Sequence, residues 1–276
     1  MLAGDFVKGH GLGNDYIVVD GSRFGIPLTP ERVRLICHRN LGLGSDGVLE
    51  ITPSADRFTA RIWNPDGSLA ERSGNGLRIA AKFLSDHGYT ADTAFVIETV
   101  AGPVRAEVYR LQGRVHAVRL EMGRAAIDRS KRTLEVGGNR LDVTVVSVGN
   151  PHCVIFGEPL TRDRLFALGP QVERHTLFPG RINVQLAVAE SRSAARALVW
   201  ERGAGHTLAS GTSACAVATA CFDRGLVDGS VTVLMEGGSL EVEVGPDLTL
   251  VMTGPVEEVF EGTLSPDLRQ RLIEMP

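Results

Sequence analysis

The sequence predicts an α+β protein of two pseudo-symmetric lobes, each a strongly bent β-sheet around a mostly buried central helix. Three observations carry this. Most of the chain reads as short Val-, Ile- and Leu-rich strands broken by Gly, Pro and Asp turns. Helical periodicity is confined to a few segments. A strand–turn–Ser-Gly–helix pattern occurs twice, at Ser73 and at Ser210, half a chain apart.

Taken in order, Tyr16-Ile17-Val18-Val19 is a strand. Thr29 to Asn40 opens on Thr-Pro-Glu and reads as the first helix. Arg61-Ile62-Trp63-Asn64 and the turn Pro65-Asp66-Gly67 lead to the second helix, Asn75 to His87, with Leu77, Ile79, Ala80, Phe83 and Leu84 on its apolar side. Val143 to Val146 is a strand, and a short helix lies near Arg162 to Leu168. Ala197-Leu198-Val199-Trp200 precedes the helix Thr212 to Arg224, whose Ala, Val and Cys content predicts burial on most faces. Val231 to Leu234 is a strand before the Gly237-Gly238 turn, and Ser265 to Glu274 reads as a C-terminal helix. The duplication places an N-terminal lobe at 1–125 and a C-terminal lobe at 126–276, with the last segment also a candidate to pack on the first lobe.

Composition narrows the function classes. Hydrophobic residues at 43% and charged residues at 22% fit a globular chain with a sizeable core. A net charge of -4 gives no electrostatic case for nucleic acid or an anionic membrane as partner. No apolar stretch is long enough to span a bilayer, and Met1 to Lys8 lacks the pattern of a signal peptide. The expectation is a cytoplasmic protein that acts on a small molecule, with a homodimer compatible. Cys37, Cys153, Cys215 and Cys221 form no CxxC pair or zinc-type cluster and read as buried, reduced thiols.

A helix N-terminus presents N–H groups without helical partners and a partial positive charge, so it binds anions, carboxylates included. Glycine there admits a ligand close to the backbone. Two such starts suit the removal of an α-proton, because negative charge then develops on the carboxylate. Either serine alone is also an ordinary N-cap; the repetition at half-chain spacing favours a site.

These features lie among further segments that carry a resemblance: Phe6 to Asp15, Gly42 to Gly47, Asn64 to Ser68, Ser73 to Gly76, Gly149 to His152, Arg181 to Val184 and Glu201 to Gly205. In this order they resemble the diaminopimelate epimerase family over nearly the whole chain. The resemblance implies two lobes, each a β-barrel-like sheet around a helix, with the active site in the cleft between them. It implies an amino-acid isomerase, converting LL- to meso-diaminopimelate by two-base α-proton transfer, without cofactor or metal. It implies that Asn14, Asn64, Asn150 and Asn183 bind the substrate's two ends, that Glu201 and Arg202 contact its distal end, and that Gly74, Asn75, Gly211 and Thr212 cradle the α-carboxylate. His152 and Glu201 match groups that assist the catalytic bases. The chemistry of the residues agrees. Asparagine both donates and accepts, and arginine offers a fork for a carboxylate, although asparagine in turns has the local alternative of an Asx-turn.

The sequence departs from the family where a cysteine stands at each helix start: here both positions are serine, Ser73 and Ser210. A thiol reaches its anion at a helix N-terminus, whereas a serine hydroxyl needs an adjacent base. His206 stands where glutamate is usual and is a possible alternative base near neutral pH. Gly47 stands where some relatives carry a polar residue that touches substrate, and Arg72 replaces an apolar residue. The alternatives are a diverged homologue that only binds an amino acid, or an isomerase for another substrate, including the related proline racemase type.

Overall fold

A computed structural model describes residues 2–54 and 57–275. In chain order the elements are β1 (Asp5–Gly11), β2 (Asn14–Asp20), α1 (Pro30–Cys37), β3 (Val48–Pro53), β4 (Phe58–Trp63), β5 (Leu69–Ala70), α2 (Gly74–Asp86), β6 (Ala94–Thr99), β7 (Gly102–Leu111) and β8 (Arg114–Arg124). They continue as β9 (Ala126–Asp128), β10 (Thr133–Val136), β11 (Asn139–Ser147), β12 (Pro151–Phe156), α3 (Arg162–Glu173), β13 (Asn183–Ser191), β14 (Ala194–Glu201), β15 (Gly205–Thr207), α4 (Gly211–Asp223), β16 (Ser230–Met235), β17 (Gly238–Val244), β18 (Thr249–Pro255), β19 (Glu257–Thr263) and α5 (Pro266–Glu274). The fold is α+β. No helix among the described residues is long and apolar enough to cross a membrane.

The chain forms two compact units. The first runs to Leu120 and is completed by the residues from Pro255 onward; the second is Glu121–Gly254. In the first unit β2 runs parallel to β3, β3 antiparallel to β4, β4 antiparallel to β5, and β4 parallel to β6. In the second, β12, β13, β14, β15 and β16 repeat those pairings in the same order. The first parallel pair of each unit is joined through α1 or α3, and the second through α2 or α4. The twofold Ser-Gly pattern is thus one part of a repeated topology.

Each unit has its own core. Ile17, Val19, Val33, Ile36, Val48 and Trp63 pack with Leu264, Leu268 and Leu272 of the C-terminal segment. Arg32 ties α1 to that segment by donating to the carbonyls of Leu272 at 2.8 Å and Met275 at 2.7 Å. In the second unit Val143, Ile155, Leu165, Val172, Val184 and Leu186 form the counterpart.

Helix boundaries differ from the sequence reading where tertiary contacts decide them. α1 stops at Cys37 rather than Asn40, because the His38 ring takes the N–H groups of Asn40 and Leu41 at 3.2 and 3.1 Å. α3 continues past Leu168 and through Pro170 to Glu173. The Glu173 carboxylate accepts there from the Trp200 indole at 2.9 Å and the Gly203 N–H at 3.1 Å. α2 is not one-sided: Gly74 to Ser85 are all buried, Arg78 and Lys82 among them. Both cations are satisfied inside, as burial requires. Arg78 donates to Pro255 O at 3.1 Å, Gly74 O at 3.3 Å and Asn75 Oδ1 at 2.8 Å, and Lys82 to Asp86 and Val115 O at 2.7 and 2.6 Å.

The loop from α1 to β3 sets the entry to the first helix start. It folds back on α1 through Leu43 N–H and Gly44 N–H to Ile36 O and Ser45 N–H to Cys37 O. Gly42 is required here, since a Cβ would lie 1.8 Å from Leu35 O. Gly42→Ala is expected to destabilise the fold by about 3 kcal/mol through this backbone collision. Gly180→Ala, where a Cβ meets nothing within 4 Å, stays within about 0.5 kcal/mol. Equilibrium denaturation of the two variants measures the contrast, and equal stabilities contradict it.

Candidate active site

The first helix start is built from β2, the loop before β3, and α2. Ser73 is the N-cap of α2, and its Oγ accepts from the Gly76 N–H at 3.0 Å. It also accepts from the Tyr16 hydroxyl at 3.2 Å. Tyr16 is buried in β2, beside Gly47. A Cβ on Gly47 would lie 2.6 Å from Tyr16 Cε1 and 2.4 Å from Trp63 O. A side chain at this position has no room here, because the Trp63 carbonyl and the Tyr16 ring occupy the space.

Next to this pair runs a polar chain that fixes Asn14 and Asn75. Arg78 donates to Asn75 Oδ1, Asn75 Nδ2 donates to Asn14 Oδ1 at 3.1 Å, and Asn14 Nδ2 donates to Asp46 at 3.0 Å. Arg39 joins Asp46 to Asp15 at 2.7 and 2.9 Å, and Lys8 binds Asp15 at 2.9 Å. Burial works to raise the Asp15 pKa, but hydrogen bonds from Arg39 and Lys8 overcome it and hold the group below the usual carboxylate range. Asn64 sits in the turn after β4, donating to Ser68 Oγ at 3.0 Å; this local bond is the turn role available to any such asparagine.

The second helix start is built from β12, β13, the end of β14, and α4. Ser210 is the N-cap residue of α4 but makes no side-chain cap bond. Its hydroxyl instead donates to Glu201 Oε2 at 3.1 Å, and it lies 3.5 Å from Thr212 Oγ1. Thr207 donates to Glu201 Oε1 at 2.8 Å, which orients the carboxylate. With Ser210 turned away, the N–H groups of Gly211, Thr212 and Ser213 have no partner within the helix by its geometry.

His152, fully buried, lies behind Asn150. Gln185 Nε2 donates to His152 Nδ1 at 3.1 Å, which places the ring proton on Nε2, bonded to Asn150 Oδ1 at 2.9 Å. Asn150 Nδ2 then points at Thr212 Oγ1 at 3.4 Å. Asn183 bridges Pro151 O and the Arg202 N–H, each at 2.9 Å. The Arg202 guanidinium is exposed and touches Gly180 O at 3.3 Å. His206, the alternative base, is bound elsewhere: its Nε2 meets Glu236 at 2.6 Å and its ring packs on Phe166. Burial alone would raise the Glu236 pKa, but His206 and Arg162 hold it below its ordinary value. Ser210 is engaged by Glu201 and Thr212, not by His206.

The sequence reading did not single out Tyr16 or Gln185. A signal for Tyr16 was present. Asn14-x-Tyr16 and Asn150-x-His152 occupy matching places, at the starts of β2 and β12. Cys37, Cys153, Cys215 and Cys221 are buried and form no disulfide; burial pushes the Cys153 and Cys221 thiols up to about 12. Among the described residues, His87, Glu258 and Glu261 form a group able to share a metal ion; none of them belongs to either helix start.

Comparison with known proteins decides the family. The sequence model described as diaminopimelate epimerase matches residues 6–127 and 144–259. The chain belongs to the diaminopimelate epimerase family. It is 40% identical to a diaminopimelate epimerase of Moorella thermoacetica over 272 residues, covering 93% of this chain and 98% of that protein. It is 38% identical to diaminopimelate epimerase 2 of a Nostoc species, covering 95% and 96%. Two solved structures share the fold: a probable proline racemase from Agrobacterium radiobacter with bound carbonate (TM-score 0.75, 18% identity, 95% of this chain and 93% of that one), and a hydroxyproline epimerase from Agrobacterium vitis with bound trans-4-hydroxy-L-proline (TM-score 0.74, 15% identity, 94% and 90%).

The family's second helix start rests here on a neutral histidine. Burial, reinforced by the charge of Arg202, pushes the His152 pKa down to about 3, against about 6.5 in an unfolded chain. Between those values the unfolded chain holds a proton that the folded chain lacks. Stability therefore falls as pH drops from about 6.5 toward 3. His152→Gln is expected to flatten that slope by one proton. Unfolding free energies measured across this window check it, and parallel slopes contradict it.

Proposed function

We propose that this member of the diaminopimelate epimerase family inverts the α-carbon of diaminopimelate without a cofactor, and that Ser73 and Ser210 carry the protons. The observation that supports this most is the hydrogen bond from Ser210 to Glu201 at the uncapped start of α4. A serine hydroxyl is a poor proton acceptor alone, and an adjacent carboxylate supplies the missing base. Gly211 and Thr212 at one helix start, and Gly74 and Asn75 at the other, offer N–H groups to the α-carboxylate, where negative charge grows as the α-proton leaves.

His152 acts in this reading as a positioning residue. Its buried ring fixes the direction of the Asn150 amide, which in turn faces Thr212. Asn14 and Asn75 are held in place by Asp46 and Arg78, and Asn183 by Pro151 and Arg202. The exposed Arg202 fork suits the distal carboxylate of a diamino diacid. The product serves lysine and cell-wall precursor synthesis in the cytoplasm.

A binding-only reading is favoured by one observation, hydroxyls rather than thiols at both helix starts. The two readings part in deuterated water. The isomerase incorporates deuterium at the α-carbon of LL- or meso-diaminopimelate, and Glu201→Gln lowers that rate by about 100-fold or more while binding persists. Saturable binding with no exchange, at enzyme concentrations near those of substrate, overturns the isomerase reading.

A further inference from the structure

The two serines stand in opposite hydrogen-bond states, each read within its own unit. Ser73 Oγ is loaded as an acceptor: it receives the Gly76 N–H and the Tyr16 hydroxyl. Its own proton is then the group left to give. Ser210 is loaded as a donor: its proton goes to the Glu201 carboxylate, and the lone pairs of its oxygen are left to receive. The sequence repeats the contrast. Glu201 stands nine residues before Ser210, and the residue nine before Ser73 is Asn64, which has no carboxylate. Tyr16 comes two residues after Asn14, and His152 two after Asn150. Thus a phenol stands in the first unit where the second has a neutral imidazole turned toward Asn150. The phenol ring has its place only because Gly47 lacks a side chain.

We propose that Tyr16 is a positioning residue for Ser73, fixing that hydroxyl as the proton donor while Ser210, bound to Glu201, is the acceptor. This deepens the isomerase reading and rests on it. In the step, the Cα–H bond breaks and its proton passes to Ser210 Oγ as the Ser210 proton passes to Glu201. The electron pair enters the substrate carboxylate as an enediolate. The Ser73 O–H bond then breaks, its proton forms the new bond to Cα, and the Tyr16 proton replaces it on Ser73 Oγ. Glu201 ends neutral and Tyr16 ends as a phenolate, so charge is conserved, and solvent water restores both.

Tyr16→Phe keeps the ring and removes only the hydroxyl, so the fold should be retained. The experiment follows wild type, Tyr16→Phe and Glu201→Gln in deuterated water, with LL- and meso-diaminopimelate as separate substrates. It measures α-hydrogen exchange with retention and inversion on each. Without its donor partner, the carbanion is returned to by the Ser210 side with solvent deuterium. Tyr16→Phe is therefore expected to slow inversion about 100-fold, the scale of one acid–base group. From one of the two substrates the ratio of exchange to inversion rises at least about 10-fold, because removal of the proton is spared. From the substrate whose α-proton passes to Ser210, Glu201→Gln lowers both processes together. If Tyr16→Phe leaves inversion unchanged, or lowers exchange and inversion in equal measure from both substrates, the assignment of Tyr16 is overturned and the isomerase reading stands. If wild type itself shows no exchange, both fall.

Discussion

A buried helix start has N–H groups that its own helix cannot satisfy, and everything around α2 and α4 is arranged in response to that constraint. Both helices are buried over nearly their whole length, so water does not answer for them along their sides. At α2 the Ser73 hydroxyl satisfies one N–H, and a buried arginine, two asparagines and Asp46 hold the neighbouring side chains. At α4 the serine turns to a carboxylate instead and makes no side-chain cap bond to the start of the helix. Glycine at the first position of each helix keeps the backbone approachable.

A serine hydroxyl at a helix start is far less acidic than a thiol would be. The two units place different groups behind their serines. In the second, Glu201 is oriented by Thr207 and bonded to Ser210, so the hydroxyl has a base behind it. In the first, Tyr16 lies against Ser73, in space that Gly47 leaves open. The two units share their strand order and pairings, yet the groups behind their serines differ in chemistry. One side holds a carboxylate, which takes a proton; the other holds a phenol, which has one to give.

Much of the fold was legible in the sequence because it follows from local rules. The Ser-Gly pairs, the strand that precedes each, and the small-residue character of α4 are written in consecutive residues. What was not legible depends on distant partners. The sequence reading gave α2 one apolar side, but Arg78 and Lys82 are buried too, held by carbonyls of Pro255 and Val115 and by the Asp86 carboxylate. The helix read near Arg162 to Leu168 runs on to Glu173, whose carboxylate is anchored by Trp200 from β14. His206 read as a base beside Ser210, but Glu236 claims it. Tyr16 looked like one more strand residue, because nothing in its neighbourhood along the chain shows that its hydroxyl reaches Ser73.

The proposed function has both helix starts hold the α-carboxylate of one substrate. The most direct test is to follow the backbone amide resonances of Gly74, Asn75, Gly211 and Thr212 during titration with LL-diaminopimelate, and separately with cadaverine, which keeps the two amines and lacks both carboxylates. The account predicts that all four amides shift with diaminopimelate, saturating along one binding curve, and that cadaverine leaves them in place. Equal shifts with cadaverine, or diaminopimelate shifts confined to residues outside the two helix starts, would contradict it.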